Sequence, residues 1–312
     1  MNTAGRLGLY GAGLVVAFGA AYAAAGALVP VSTVDAWTQQ SSTHAAMKDE
    51  TQEEEVIEMN GLSLSASGFV LDEISAPAAP GDVGELSFRI LAADGEPVTS
   101  YDTAHGKQLH LIVVRTDGTQ YRHVHPELDA ASGTWSLPWT WDAAGTYRVY
   151  TDFASDGAAA TLSRTVDVAG DLAPEPVAEP ATTDEVDGFD LSITGDLVAG
   201  ADSDLTIEVT RDGEPVTALQ PYLGAFGHLV ALRDGDLAYL HVHAHGDEPE
   251  PGETAGPTVD FTAAVPSAGR YLLYLDFQVD GQVRTAQFVL DAAASASSSD
   301  DQPADDDHGG GH

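Results

Sequence analysis

The sequence predicts an all-β chain of two tandem sandwich domains, and three observations carry that prediction. Short apolar or alternating runs are separated by turn signals from Gly61 to Asp291, and no run keeps a 3.6-residue period over helix length. Leu109 to Pro126, LHLIVVRTDGTQYRHVHP, returns as Gly227 to His245, GHLVALRDGDLAYLHVHAH, with residues 110, 115, 121, 123 and 125 identical at 228, 233, 239, 241 and 243. The flanking stretches repeat as well: Asp94-Gly-Glu-Pro-Val-Thr99 recurs as Asp212-Gly-Glu-Pro-Val-Thr217, and Gly145 to Phe153 matches Gly269 to Phe277.

In the first copy the expected strands are Leu62–Leu71, Glu85–Leu91, Leu109–Arg115, Thr119–His125, Thr134–Thr140, Thr146–Phe153 and Ala160–Val168. About seven strands in ~110 residues is the size of a two-sheet sandwich. Asp142-Ala-Ala-Gly145-Thr-Tyr147 reads as the corner at which a tyrosine entering the sixth strand bonds back to the backbone. That feature makes the sandwiches immunoglobulin-like, although the Cys-Trp-Cys pattern of antibody domains is absent. The domains are expected at 61–170 and 188–291. A Pro-rich acidic linker at 171–187, lacking an apolar face, joins them.

Outside the sandwiches the chain changes character. Leu7 to Val29 is uncharged and long enough to cross a bilayer, with Arg6 before it and acidic residues after it. Residues 1–30 are therefore expected to be a signal-anchor helix that leaves the bulk of the chain outside the cell. A cleaved signal peptide is the rival reading, and the length favours the anchor. Residues 31–60 form a polar stalk, and 292–312 an acidic tail with His308 and His312, expected to be disordered.

Composition excludes several chemistries. Against 49 acidic residues stand 12 Lys plus Arg, a net charge of -37, so nucleic acid and anionic lipid surfaces are repelled and cations attracted. With no cysteine there is no disulfide, thiolate site or thiol nucleophile, and three methionines do not make a thioether copper site.

The repeated hairpin carries the candidate site. If Asp117-Gly118 and Gly235-Asp236 are tight turns, His110 faces His125 and His228 faces His243, with Cβ atoms ~5 Å apart. His123 and His241 lie on the same faces by strand alternation. Three imidazoles on one face, twice, point to a nitrogen-rich site for Zn(II) or Cu(II), one per domain. The sixth strand of such a sandwich lies beside the third, which brings Asp152 to His110 and Asp276 to His228 as a further ligand or an orienting group. His245 stands where the first copy has Glu127, so the second site is expected to bind differently; His105, opposite Leu223, is also unmatched. The structural alternative is that these histidines pack where two domains or two chains meet, in a spacer or adhesion module at the cell surface. An enzyme is the third reading, and it lacks support: neither Gly-x-Ser-x-Gly nor His-Glu-x-x-His occurs.

On Tyr-Arg-His123-Val-His125-Pro and Leu-His241-Val-His243, the chain resembles membrane-anchored, exported two-domain proteins of actinobacteria described as heavy-metal-binding. Its domains are similar to YtkA-like domains and, more distantly, to small periplasmic copper-resistance carriers. The resemblance covers about Leu62 to Leu290 and implies extracytoplasmic metal handling, with a metal-transport partner unspecified. Those carriers bind copper at a processed N-terminus that has no counterpart here, so their ligand set does not transfer.

Overall fold

The computed structural model describes residues 61–175, 179–240, 242–246, 248–250 and 252–295. The expected anchor, stalk and acidic tail, and His241 among the site residues, lie outside these. No helix among the described residues is long and apolar enough to cross a membrane.

In the first domain the strands are β1 (Ser65–Ala66), β2 (Phe69–Leu71), β3 (Gly84–Leu91), β4 (Leu109–Arg115), β5 (Arg122–Val124), β6 (Glu127–Asp129), β7 (Thr134–Trp139), β8 (Gly145–Ser155) and β9 (Ala158–Val168). They form one sheet in the order β1-β2-β3-β7-β6 and a second in the order β5-β4-β8-β9. The expected single strand over Leu62–Leu71 is broken into a small hairpin. Ser67 and Gly68 take positive φ there, and Ser65 pairs with Val70.

The second domain repeats this with β10 (Thr183–Val186), β11 (Phe189–Thr194), β12 (Asp202–Arg211), β13 (Glu214–Pro215), β14 (His228–Arg233), β15 (Tyr239–Leu240), β16 (Val242–Ala244), β17 (Thr258–Ala264), β18 (Gly269–Val279) and β19 (Gln282–Ala292). Its sheets run β10-β11-β12-β17-β16, with β13 beside β12, and β15-β14-β18-β19. Strand β10 falls within the stretch read as linker. The Tyr147 hydroxyl donates to Ala143 O (2.8 Å) and that of Tyr271 to Ser267 O (2.8 Å), so both copies have the tyrosine corner. The molecule is all-β, two immunoglobulin-like sandwiches in tandem.

Each domain has its own core, and a third core joins them. Along β4, Leu109, Leu111 and Val113 face inward, against Phe88, Trp135, Val149 and Leu162. The residues between them, Ile112 and Val114, join Tyr150 of β8 in a cluster with Val230, Leu232, Tyr239, Leu272 and Tyr274 of the second domain. This explains why Leu109–Arg115 is almost continuously apolar instead of alternating: every residue of β4 is buried, because both faces of its sheet are covered. Tyrosines fasten the seam reciprocally. The Tyr274 hydroxyl donates to Gly118 O at 2.5 Å, that of Tyr150 to Leu237 O, and Tyr121 stacks on Tyr274 with ring centroids 4.0 Å apart.

Candidate metal centre

The first hairpin reaches the expected register by a different turn. Arg115 N–H bonds Thr119 O, and Gly118 and Gln120 both take positive φ. The positive-φ Gln120 takes up one residue, and Ile112 then opposes His123, as a two-residue turn would also have placed it. Asp117 holds the turn by accepting from both Arg115 Nε (2.9 Å) and Nη2 (2.7 Å). Burial would raise the Asp117 carboxyl, but that guanidinium and the N–H groups of Glu175 and Thr119 bring it down to about 2.

Strand alternation then sets His110, His123 and His125 on the seam face. His110 Nδ1 lies 3.1 Å from His123 Nε2 and 3.3 Å from His125 Nε2. The outward nitrogens are occupied. His123 Nδ1 meets Asp276 Oδ2 at 2.8 Å, and His110 Nε2 meets Ala104 O at 3.4 Å. The carboxylate accepts, so His123 Nδ1 carries a hydrogen, while the longer contact leaves the His110 tautomer open. His110 Nδ1 and His123 Nε2 stand at hydrogen-bond distance from one another, with the donor set by the tautomer. The setting is dry: His110 is 4% exposed, and the side chains of His123 and Asp276 are 0% and 3% exposed.

The second domain contributes directly. His228, the first residue of β14, stacks on His110 with centroids 5.5 Å apart and approaches His123 at 4.9 Å. His110, His123 and His228 can each present a ligating nitrogen with all three within 4.8 Å of one another. Among the described residues this group straddles the domain seam; the expected cluster of the second domain draws on His241 and the His243 side chain, which lie outside the described ones. The sequence places histidines on the third and fourth strands of each sandwich but does not show that those two sheets face each other.

The carboxylates also cross the seam. Asp152 is in register with His110 and Asp276 with His228, as the strand order predicts. The Asp276 carboxylate, however, contacts His123 of the other domain, while its second oxygen accepts from Thr285 Oγ1 (2.5 Å). Asp152 accepts from Thr161 Oγ1 (2.7 Å) and borders a cleft beside His228.

The second hairpin departs from the expected pairing at His243. In the first copy Pro126, which has no N–H for a ladder, delays the crossing to the other sheet until Glu127. The second copy has Ala244 at that position, and β16 crosses earlier, pairing Val242, His243 and Ala244 with β17. His243 therefore sits opposite Thr262 instead of opposite His228. His245 Nε2 meets Thr262 Oγ1 at 2.5 Å.

Burial pushes the His125 imidazole down to about 3, helped by the neighbouring His123, His110 and Lys107, so it is neutral across the physiological range. The Tyr121 hydroxyl, two residues before His123, is buried with no hydrogen-bond partner among the described residues. His105, the unmatched histidine opposite Leu223 in the repeat, comes close to the site. Its ring stands 6.0 Å from that of His228 and 6.2 Å from that of His110. It shares a loop with Ala104, whose carbonyl meets His110 Nε2 at 3.4 Å.

Comparison with known proteins places both sandwiches in one family. No curated protein sequence matches the chain. Among solved structures, a DUF4426 family protein from Pseudomonas aeruginosa is similar at 12% identity and a TM-score of 0.26, covering 36% of this chain and 94% of that one. Salmonella alpha-2-macroglobulin is similar at 17% identity and 0.25, over 72% of this chain and 15% of that one. Invasin, a bacterial integrin-binding protein, gives 13% and 0.21, over 72% and 39%. Likenesses this slight carry nothing about activity. The model of a domain of unknown function, DUF8832, matches residues 68–170 and again 184–294, so the chain belongs to that family and carries its domain twice.

Proposed function

We propose that the protein binds a divalent transition metal, Zn(II) or Cu(II), at the histidines of the domain seam, and serves as an extracytoplasmic, membrane-anchored buffer or carrier, not as a catalyst. One observation carries the reading: ring nitrogens of His110, His123 and His228 lie within 4.8 Å of one another at a nearly dry seam, with the Asp276 carboxylate on the outer nitrogen of His123. The N···N separations of 3.1 and 3.3 Å suit a tetrahedron with metal–nitrogen bonds of 2.0–2.1 Å, whose edge is about 3.3 Å. Adjacent ligands in a square plane would stand at about 2.9 Å, so the 3.1 Å separation admits Zn(II) and Cu(II) alike. Asp276 behind His123 supplies the carboxylate that commonly orients a ligating imidazole. The anchor and outward orientation rest on Leu7 to Val29 and its flanking charges, and the resemblance to YtkA-like and copper-resistance proteins supports the extracytoplasmic role.

The second reading, a spacer module whose histidines only lock two domains, is favoured by the apolar seam and its paired tyrosines. Titration of the full-length apo protein with Zn(II) separates the two. The metal reading predicts one tight equivalent per chain, lost in His123→Ala and equally in His228→Ala, since the site draws on both domains. Absence of tight binding in the unaltered protein leaves the spacer reading; two equivalents, one surviving each substitution, would restore separate sites.

A further inference from the structure

We infer that the cleft beside His228 is the loading station of this metal site, where His105 and Glu248 at the rim capture an aquated divalent cation and pass it to His228. This rests on the metal reading above. The inner nitrogens cannot take an ion straight from bulk water, because His110 and the His123 side chain are almost wholly buried. A cation stripped of water all at once pays a large desolvation penalty, so it must exchange waters for protein ligands stepwise. His228 alone belongs both to the three-histidine group and to the wall of a cleft of about 470 Å³. Six waters around an ion occupy about 180 Å³ at ~30 Å³ each, so a hydrated cation fits this cleft.

The lining has the chemistry of a cation path. His105, His228 and His245 share it with Asp152, Glu248 and Asp260, and among the described residues neither lysine nor arginine lines it. His105, His245 and Glu248 are exposed, whereas His228 is half-buried, so the groups run from solvent inward. Gly224 lies beside both rim residues, and its left-handed φ is what calls for glycine there. It holds φ at +76°, and a Cβ there would stand 3.4 Å from Glu248 Oε1 and 3.5 Å from His105 Cα. The rim is thus shared between the domains, His105 from the first and Glu248 from the second. From the rim, the His105 ring lies 6.0 Å from His228, a short step for an ion changing ligands.

Stopped-flow loading of full-length apo protein with Zn(II), read by a chromophoric chelator, tests this on the His105→Ala/Glu248→Gln double variant. Loading is expected to slow at least tenfold, with bound equivalents unchanged and equilibrium affinity within threefold. Chelator-driven release then slows by the same factor, because rate and equilibrium constants are linked. Glu185→Gln, the same charge change on exposed β10, should load at the unaltered rate. Wild-type loading in the double variant overturns the station, as does equal slowing by Glu185→Gln, which would mean general electrostatic attraction. Loss of the bound equivalent in the double variant would make these residues part of the final site and also refute it. If the unaltered protein takes no Zn(II), the metal reading itself falls.

Discussion

Asp276→Asn separates a metal-orienting carboxylate from a merely structural one. The aspartate receives two donors, His123 Nδ1–H on one oxygen and the Thr285 hydroxyl on the other, and is 2% exposed. Asparagine keeps the shape but presents one acceptor and one NH2. If its NH2 faces His123, the imidazole is driven to the other tautomer, and Nε2 becomes a donor that cannot bind metal. If it faces Thr285, the threonine hydroxyl must turn away from a buried partner. Orienting partners of this kind are worth 10- to 100-fold in metal affinity, about 1.4–2.7 kcal/mol, and the first outcome would sit at the upper end. The apo protein should lose about 1–3 kcal/mol from the mispaired buried group. Chelator competition on the metal and urea unfolding of the apo protein measure the two separately. Wild-type affinity in Asp276→Asn, with a destabilised apo form, would refute the role assigned to His123 Nε2.

Three further outcomes follow from the same geometry. With His125 held near 3 against 6.5 for a free imidazole, the unfolded chain takes up the proton first. Apo stability should therefore be flat above pH 6.5 and fall as pH drops from 6.5 toward 3, a slope that His125→Gln removes in urea midpoints measured against pH. Gly118→Ala should destabilise by about 1–3 kcal/mol in thermal melts, because φ is +79° and the new Cβ would stand 2.4 Å from Leu272 Cδ1 across the seam. Tyr274→Phe, which removes the hydroxyl bonded to Gly118 O, should cost about 1 kcal/mol by denaturant unfolding and leave the metal stoichiometry intact.

Much of this was legible in the sequence, and the gaps have physical causes. The 118-residue repeat, the hairpin register and the pairing of His110 with Asp152 all follow from local periodicity and the strand order of a sandwich. The seam was half legible: the unbroken apolar run of β4 implies cover on both faces, but nothing in it names the covering sheet as β15-β14-β18-β19. For that reason Asp276 was matched to His228, its strand neighbour, when its carboxylate serves His123. The early sheet crossing at β16 turns on one substitution, Ala244 for Pro126, which is legible only once the proline is seen to delay the first copy. His105 stood out in the sequence only as an unmatched histidine, because duplication directs attention to shared residues, and a composite site also recruits unshared ones.

X-ray absorption at the zinc edge of the loaded full-length protein tests the central claim most directly. The account predicts a shell of nitrogen scatterers at about 2.0–2.1 Å with outer-shell imidazole scattering, which weakens on substituting His123 of the first domain and His228 of the second alike. A shell of oxygens without imidazole scattering, or a spectrum indifferent to His228, would contradict a centre shared across the seam.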